Sequence, residues 1–517
     1  MPLGKATSKK PPLRPIERDE HRDKKQIDSP PLCGFFDRRS LHLAVLAVLL
    51  TVIAAPSLAP RFSVVDNDLW LHLKTGDWIV EHSSVPHTGI LSRTVADRPW
   101  MAYSWFYEVL LSLFHSWFHL VGVAVYGLVL TLAVAYSVFW MTRRLSGSFW
   151  RACLLATATC AAFLFNVFPR PVFSSMILFT VTLTLLLEAR RTGRSELLYW
   201  LPPLFVLWVN VHIQFVYGLF VVGLFVAVNL LQKWAAHLGF APDSLLPPSL
   251  PPGTLAVILG ACVLATCIGP YTYHLYSVVF AYARSKYPYT YVAEFQALSF
   301  RNYTDFLQLL LTGFAFFALG RAKRLDLFLF ALLLVASVVG FRTQRDAWFI
   351  CIPAAACLAG ALGGAKCDHG ETITEKAGLA VVVALLIFLY ARIMDFNAAN
   401  LRLAIADVYP VRAINFLRDH PQPGPLYNNY DWGDFITWYM PDYPVAIDGR
   451  TDLYGDEIDT RFYMSANGDA SYVDDPYLNE AKLILLPKRK PLARVLASDS
   501  RFSPIYQDSL SVVFVKR

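Results

Sequence analysis

Apolar runs close to the length of a membrane crossing recur along the chain from Leu41 to Tyr390, then stop. A helix rising ~1.5 Å per residue needs ~20 mostly apolar residues to cross ~30 Å of hydrocarbon. About eleven stretches meet or approach that test. They begin near Leu41, Val121, Phe149, Pro171, Leu197, Phe215, Thr254, Phe306, Leu325, Ala347 and Gly378. The fifth and eleventh are short, and Met101–His119 reads equally as an outer loop or a partly inserted helix. The pattern therefore predicts an α-helical polytopic membrane protein.

Beyond about Asn397 the pattern becomes short alternating segments. Leu426-Tyr427, Val445–Ile447, Lys482–Leu486 and Ser511–Lys516 read as strands, with helices near Gly455–Met464 and Leu492–Ser498. Residues 395–517 are thus expected to form an α/β domain, since roughly 120 residues suffice for a small core. Residues 1–39 are rich in Lys, Arg and Pro, with no apolar core beside the charges. They read as a disordered basic cytoplasmic tail, not a cleaved signal.

Composition agrees with the membrane reading. The 517 residues are 55% hydrophobic and 16% charged, with a mean hydropathy of +0.42. The net charge of +7 lies largely in short loops, around Arg143, Arg144 and Arg151, then Arg190, Arg191 and Arg194, then Arg321, Lys323 and Arg324. Their alternation fits a cytoplasmic N-terminus in the cytoplasmic (inner) membrane and places residues 395–517 on the periplasmic, extracytoplasmic side. The positive charge is thereby explained without nucleic acid as a partner. All eight cysteines lie in predicted spans, their edges or cytoplasmic segments. A disulfide framework and a Cys-based zinc site are not expected.

Chemistry concentrates in the outer segments. The first outer loop, residues 60–120, opens with Asp66 and Asp68, followed by His72, Lys74 and His87. Ionisable groups at a bilayer surface are expensive and usually functional. In extended chain the two aspartates share a face, while on a helix Asp68 and His72 do. They read either as ligands for Mg²⁺ or Mn²⁺ or as caps of an amphipathic helix over Leu69–Glu81. Arg170, Arg342 and Arg345 run against the positive-inside trend. They either snorkel to headgroups or clamp a phosphate. His212 marks a third outer segment and Glu294 a fourth. Asp448, Arg450 and Asp452 read as a salt-bridged corner or an acceptor contact. Tyr430 and Trp432 read as sugar-stacking rings or as core packing.

Three stretches carry a resemblance. Asp66–Glu81 followed by Val85-Pro86-His87 resembles the first outer loop of oligosaccharyltransferase catalytic subunits, with Asp68 at the aspartate that helps bind metal and activate acceptor. Val292-Ala293-Glu294-Phe295-Gln296 is similar to their Ser-Glu-x-Gln phrase, with Glu294 on the functional glutamate. Tyr430-Asp431-Trp432-Gly433-Asp434, then Val445–Thr451, resembles their Trp-Trp-Asp-Tyr-Gly segment and the strand after it. The wider relatives are the GT-C glycosyltransferases and bacterial multi-span proteins of that superfamily without assigned substrate. Two features depart from the pattern. The second outer loop, Asn166-Val167-Phe168-Pro169-Arg170-Pro171, has no acid where those enzymes carry one, and the Tyr-Asp-Trp-Gly order differs from theirs.

The resemblance implies a GT-C-like domain over residues 40–394. It implies an inverting transfer of a hexosyl or pentosyl unit from a polyprenyl-phosphate-linked donor to a glycan, lipid or protein acceptor. Asp68, Asp66 and Glu294 would be catalytic, with Asp68 and Glu294 holding a divalent cation, Mg²⁺ or Mn²⁺. His72, Lys74, His87, Arg170, His212, Arg342, Arg345, Tyr430 and Trp432 would contact substrate. The rivals are a catalytically silent GT-C-like scaffold and a lipid-glycan transporter or polymerase. A transporter would place polar residues along its spans, and here charge is confined largely to their ends.

Overall fold

A computed structural model describes residues 1, 39–164, 168, 170–240, 242–248, 250–363 and 373–517. Nearly all of the basic tail, Cys33, Cys367 and most of Asn166–Pro169 lie outside the described residues. Helices stand at all eleven places where the apolar pattern put a crossing. Six are long and apolar enough to span a bilayer: Arg39–Leu58, Trp105–Ser146, Val172–Thr192, Phe215–His237, Tyr303–Arg321 and Ile373–Ile393. Phe149–Phe163, Pro252–Ala265 and Leu327–Arg342 are apolar but shorter. The Ala347–Ala361 helix is almost entirely buried among the others. These helices share one core, with Phe179, Phe205, Phe225, Trp208 and Trp348 at its centre.

The second crossing is not a simple span beginning at Val121. The chain is helical from Trp105 to Ser146, but His119 has φ 53° and splits it into two legs. The legs meet closely, since a Cβ on Gly122 would lie 2.0 Å from the Phe114 carbonyl oxygen.

The amphipathic helix expected over Leu69–Glu81 runs from Asn67 to His82. It buries Leu69, Trp70, Leu73, Gly76 and Ile79, the i, i+3/i+4 stripe that a half-covered helix requires. Gly76 permits its contact with the Trp105 leg, because a Cβ there would fall 2.1 Å from the Glu108 carbonyl oxygen. On its other side Trp70 packs edge-on against Tyr409 and Phe435 and beside Trp438. The helix that starts beside the acids is therefore wedged between the membrane helices and the C-terminal segment.

That C-terminal segment contains a four-stranded sheet in the order β1 (Leu426–Asn428), β2 (Leu483–Pro487), β4 (Ser511–Lys516), β3 (Phe502–Gln507). β1 pairs parallel to β2, while β2–β4 and β3–β4 are antiparallel. Helices Thr451–Ala466 and Pro491–Ser498 stand where the pattern put them, the first broken at Gly455 by a φ of 76°. Two strand expectations need correction. Val445–Ile447 is fully buried but forms no ladder. Its backbone is held by the Asn428 side chain, whose Oδ1 accepts from Ala446 and Ile447 N–H and whose Nδ2 donates to the Ile447 carbonyl. β3 has no counterpart among the expected strands; it lies at the sheet edge, with a register shift at Pro504.

Candidate functional site

Asp66 occupies the N-cap position of the Asn67–His82 helix but makes no capping hydrogen bond. Its carboxylate turns instead to Arg170, the last residue before Pro171 and the Val172–Thr192 helix. Arg170 Nε donates to Asp66 Oδ2 at 2.9 Å and Nη2 to Oδ1 at 2.5 Å, a bidentate pair. Arg170 Nη1 lies 2.8 Å from Asp68 Oδ2 and donates to Glu294 Oε2 at 3.0 Å. Glu294, on the short turn Ala293–Phe295, is shared with Arg345, whose Nη1 is 3.3 Å from Oε1. Burial alone would lower the guanidinium pKa of Arg170. The charges of Asp66, Asp68 and Glu294 outweigh it and hold that pKa well above its ordinary value. Arg345 is raised in the same way against its burial, chiefly by Glu294.

The three acids differ in what remains open. Asp66 is 5% exposed and both its oxygens are taken. The Asp68 side chain is 39% exposed, with arginine on only one oxygen. Glu294 is 36% exposed and carries an arginine on each oxygen. Asp68 is thus the acid with the most open carboxylate. Arg342 is exposed, stacks 5.2 Å over Tyr289 and has no ion pair among the described residues. Beside the cluster, Tyr103 and Tyr282 join hydroxyl to hydroxyl at 3.2 Å, and the Tyr282 hydroxyl donates to Asp452 at 3.5 Å. Tyr103 lies within the electrostatic reach of Asp452, Arg345 and Asp68. Burial raises the Asp452 carboxyl to about 6.

The other predicted residues divide. Tyr430 is partly buried and lies within the electrostatic reach of Asp459, Tyr287, Asp68 and Asp434. His72 does not pair with Asp68; its Nδ1 lies 2.8 Å from Oε1 of buried Glu108. His212 is buried and bonds Ser175 Oγ at 2.8 Å, which also accepts from Trp208. Lys74 is half-buried with no ion pair among the described residues, and exposed His87 stacks edge-on with Tyr271. Neither is brought to the acids. Trp432 does not serve for sugar stacking: it is 4% exposed, packs in the core and donates to the Val408 carbonyl. Asp448 and Arg450 form a buried bidentate pair that also takes the Ile90 carbonyl, the salt-bridged corner rather than an acceptor contact.

The donor set does not fit a divalent cation. Asp68 and Glu294, the expected ligands, both point to a guanidinium already within 3.0 Å. Among the described residues no group of three His, Cys, Asp or Glu side chains is placed to hold a metal ion.

No family model matches the chain, and no curated protein matches it in sequence. Among solved structures, the archaeal oligosaccharyltransferase AglB from Archaeoglobus fulgidus, in complex with an inhibitory peptide and a dolichol-phosphate, aligns with TM-score 0.53. The match covers 88% of this chain and 70% of that one at 12% identity. The two proteins share a fold. ArnT from Cupriavidus metallidurans bound to undecaprenyl phosphate aligns over 92% of this chain and 97% of its own, with TM-score 0.45 and 13% identity. An Archaeoglobus fulgidus oligosaccharyltransferase solved with Zn and sulfate aligns over 91% and 73%, with TM-score 0.43 and 13% identity. At such identity the likeness to AglB concerns the fold alone, and the apolar helices agree with a multi-pass helical membrane protein.

Tyr103, Tyr282 and Asp452 were missed as neighbours of the acids. Asp452 was noticed only as part of the Asp448–Arg450 corner, and nothing marks two tyrosines among the 25 in the chain. Nothing in the sequence signals the tie between Glu108 and His72.

Proposed function

We propose that this chain is a membrane glycosyltransferase that moves a hexosyl or pentosyl unit from a polyprenyl-phosphate-linked donor to an acceptor hydroxyl at the outer face of the cytoplasmic membrane. Residues 40–394 form the membrane domain, 395–517 the extracytoplasmic domain and 1–39 a cytoplasmic tail. The observation that carries this reading is the convergence of Asp66, Asp68 and Glu294, far apart in sequence, around Arg170, with Arg345 alongside and Arg342 open.

The roles follow from what each group has free. Asp68 takes the proton of the acceptor hydroxyl as that oxygen attacks the anomeric carbon. The bond from that carbon to the phosphate oxygen breaks on the opposite face, so configuration inverts and polyprenyl phosphate leaves. Arg342 holds the donor phosphate in ground and transition state alike, and Arg345 receives the charge that develops on it as the bond breaks. Tyr103, Tyr282 and Asp452 offer donors and acceptors to sugar hydroxyls.

The test is transfer from a radiolabelled polyprenyl-phosphate sugar by the full-length protein in nanodiscs. Asp68→Asn is expected to lower kcat by about 10²–10⁴-fold while donor binding persists. Unchanged transfer by a correctly inserted Asp68→Asn protein rules out the assignment. Donor binding by wild type with no transfer to any acceptor points to the silent scaffold instead.

A further inference from the structure

The acids of this site already hold a cation, and it belongs to the chain. We propose that the guanidinium of Arg170 occupies the place between Asp66, Asp68 and Glu294 that a divalent metal would need, so that the site works without one. Four contacts support it: two on Asp66 at 2.9 and 2.5 Å, one on Asp68 at 2.8 Å and one on Glu294 at 3.0 Å. A magnesium ion requires oxygen ligands at ~2.0–2.1 Å in near-ideal octahedral geometry. To gather these carboxylates it would have to expel a guanidinium bound to all three. The Arg170 side chain is only 22% exposed, and its guanidinium carbon lies 5.9 Å from the Phe168 ring centroid.

The sequence carries the same signal. The segment Asn166–Pro171 contributes an arginine and no carboxylate, so it brings positive charge to a place already rich in acid. A guanidinium performs two tasks of a metal: it fixes the carboxylates relative to one another and offsets their mutual repulsion. It cannot lower the pKa of a bound water as a metal does, so the proton must leave through Asp68. Its committed donors also remove Arg170 from the phosphate clamp and leave that role to Arg342 and Arg345. Arg170 is therefore a positioning residue.

The catalytic consequence rests on the glycosyltransferase reading; the binding consequence does not. Mn²⁺ is titrated into the full-length protein in nanodiscs and followed by electron paramagnetic resonance. Wild type is expected to show no Mn²⁺ site that responds to Asp68→Asn or Glu294→Gln. Arg170→Ala is expected to gain one site per chain, lost again when Asp66→Asn is added. A wild-type Mn²⁺ site abolished by Asp68→Asn overturns the proposal. So does a folded Arg170→Ala protein that binds no Mn²⁺, since the acids are then no cation site at all. If Arg170→Ala does not yield a monodisperse protein, Arg170→Gln replaces it, keeping polarity without charge. In the transfer assay wild type should be indifferent to EDTA. Absence of transfer under every condition would remove the glycosyltransferase reading and leave the Mn²⁺ result standing.

Discussion

Asp459 shows how one side chain can set the pH response of the C-terminal part. It is 1% exposed, and neither carboxylate oxygen has a partner among the described residues. Burial, with the charges of Asp448, Asp452 and Asp456 nearby, pushes its carboxyl to about 9. A raised carboxyl holds its proton more tightly folded than unfolded. Its favourable contribution is therefore complete below the unfolded pKa of about 3.9 and is lost as pH climbs through the folded value. Asp459→Asn, neutral at every pH, is expected to raise the melting temperature at pH 8 and leave it nearly unchanged near pH 4. Thermal melts of both proteins at the two pH values check this, and a gain confined to acid contradicts it. At the reacting centre, Arg342→Ala should raise KM for the lipid-linked donor about tenfold with kcat little altered, the loss of one charge-assisted contact. A drop in kcat at unchanged KM would place Arg342 elsewhere in the reaction. Charged residues beside apolar runs are costly and rare, which is why Asp66, Asp68, Arg170, Glu294 and Arg345 stood out in the sequence. Their mutual contacts did not, because pairing depends on a fold that brings distant loops together.

At the level of elements, apolar periodicity located the helices and misjudged where backbone groups find partners. Val445–Ile447 has the composition of a buried strand, yet its N–H and C=O groups go to Asn428, Ser92 and Arg93. No local pattern announces that an asparagine 18 residues upstream replaces a neighbouring strand. Asn428→Ala would leave those buried groups unsatisfied, at about 1–3 kcal/mol each. It should lower the melting temperature and hasten proteolysis of the C-terminal part, whereas an unchanged melt would mean water or a shifted strand takes over. Gly76 sets a comparable limit in the outer loop. Gly76→Ala forces a methyl group against the Glu108 carbonyl and the Ser112 side chain. Overpacking of this kind costs about 1–3 kcal/mol. It should also tilt the helix carrying Asp68, so that transfer falls further than stability alone explains. Crossing count is the weakest element reading from sequence, since several apolar helices are too short to span by themselves and the Ala347–Ala361 helix is buried among the others.

Across the whole molecule, the membrane part and the C-terminal part are not independent bodies joined by a linker. One core cluster runs from Val64, Trp70 and Leu73 through Tyr107 and Leu111 to Tyr409, Phe435, Leu485 and Val513. Trp70 is its hinge point, fully buried and two residues from Asp68, with its ring against Tyr409, Phe435 and Trp438. Trp438 adds a second tie by donating its indole N–H to Asp77, on the same helix. The helix bearing Asp68 is thus held from both sides, and anything that loosens the C-terminal part must loosen the acid cluster. Trp70→Ala removes a large buried ring, a loss of about 3–5 kcal/mol, although Trp70 touches none of the acids. Trp432→Ala removes a similar ring from the same core but from outside the Asn67–His82 helix. If the shared core fixes Asp68, both variants lose stability to a similar degree while Trp70→Ala loses much more kcat. Equal losses of kcat would mean that the core supports folding alone and that Arg170, not the C-terminal part, sets the position of Asp68.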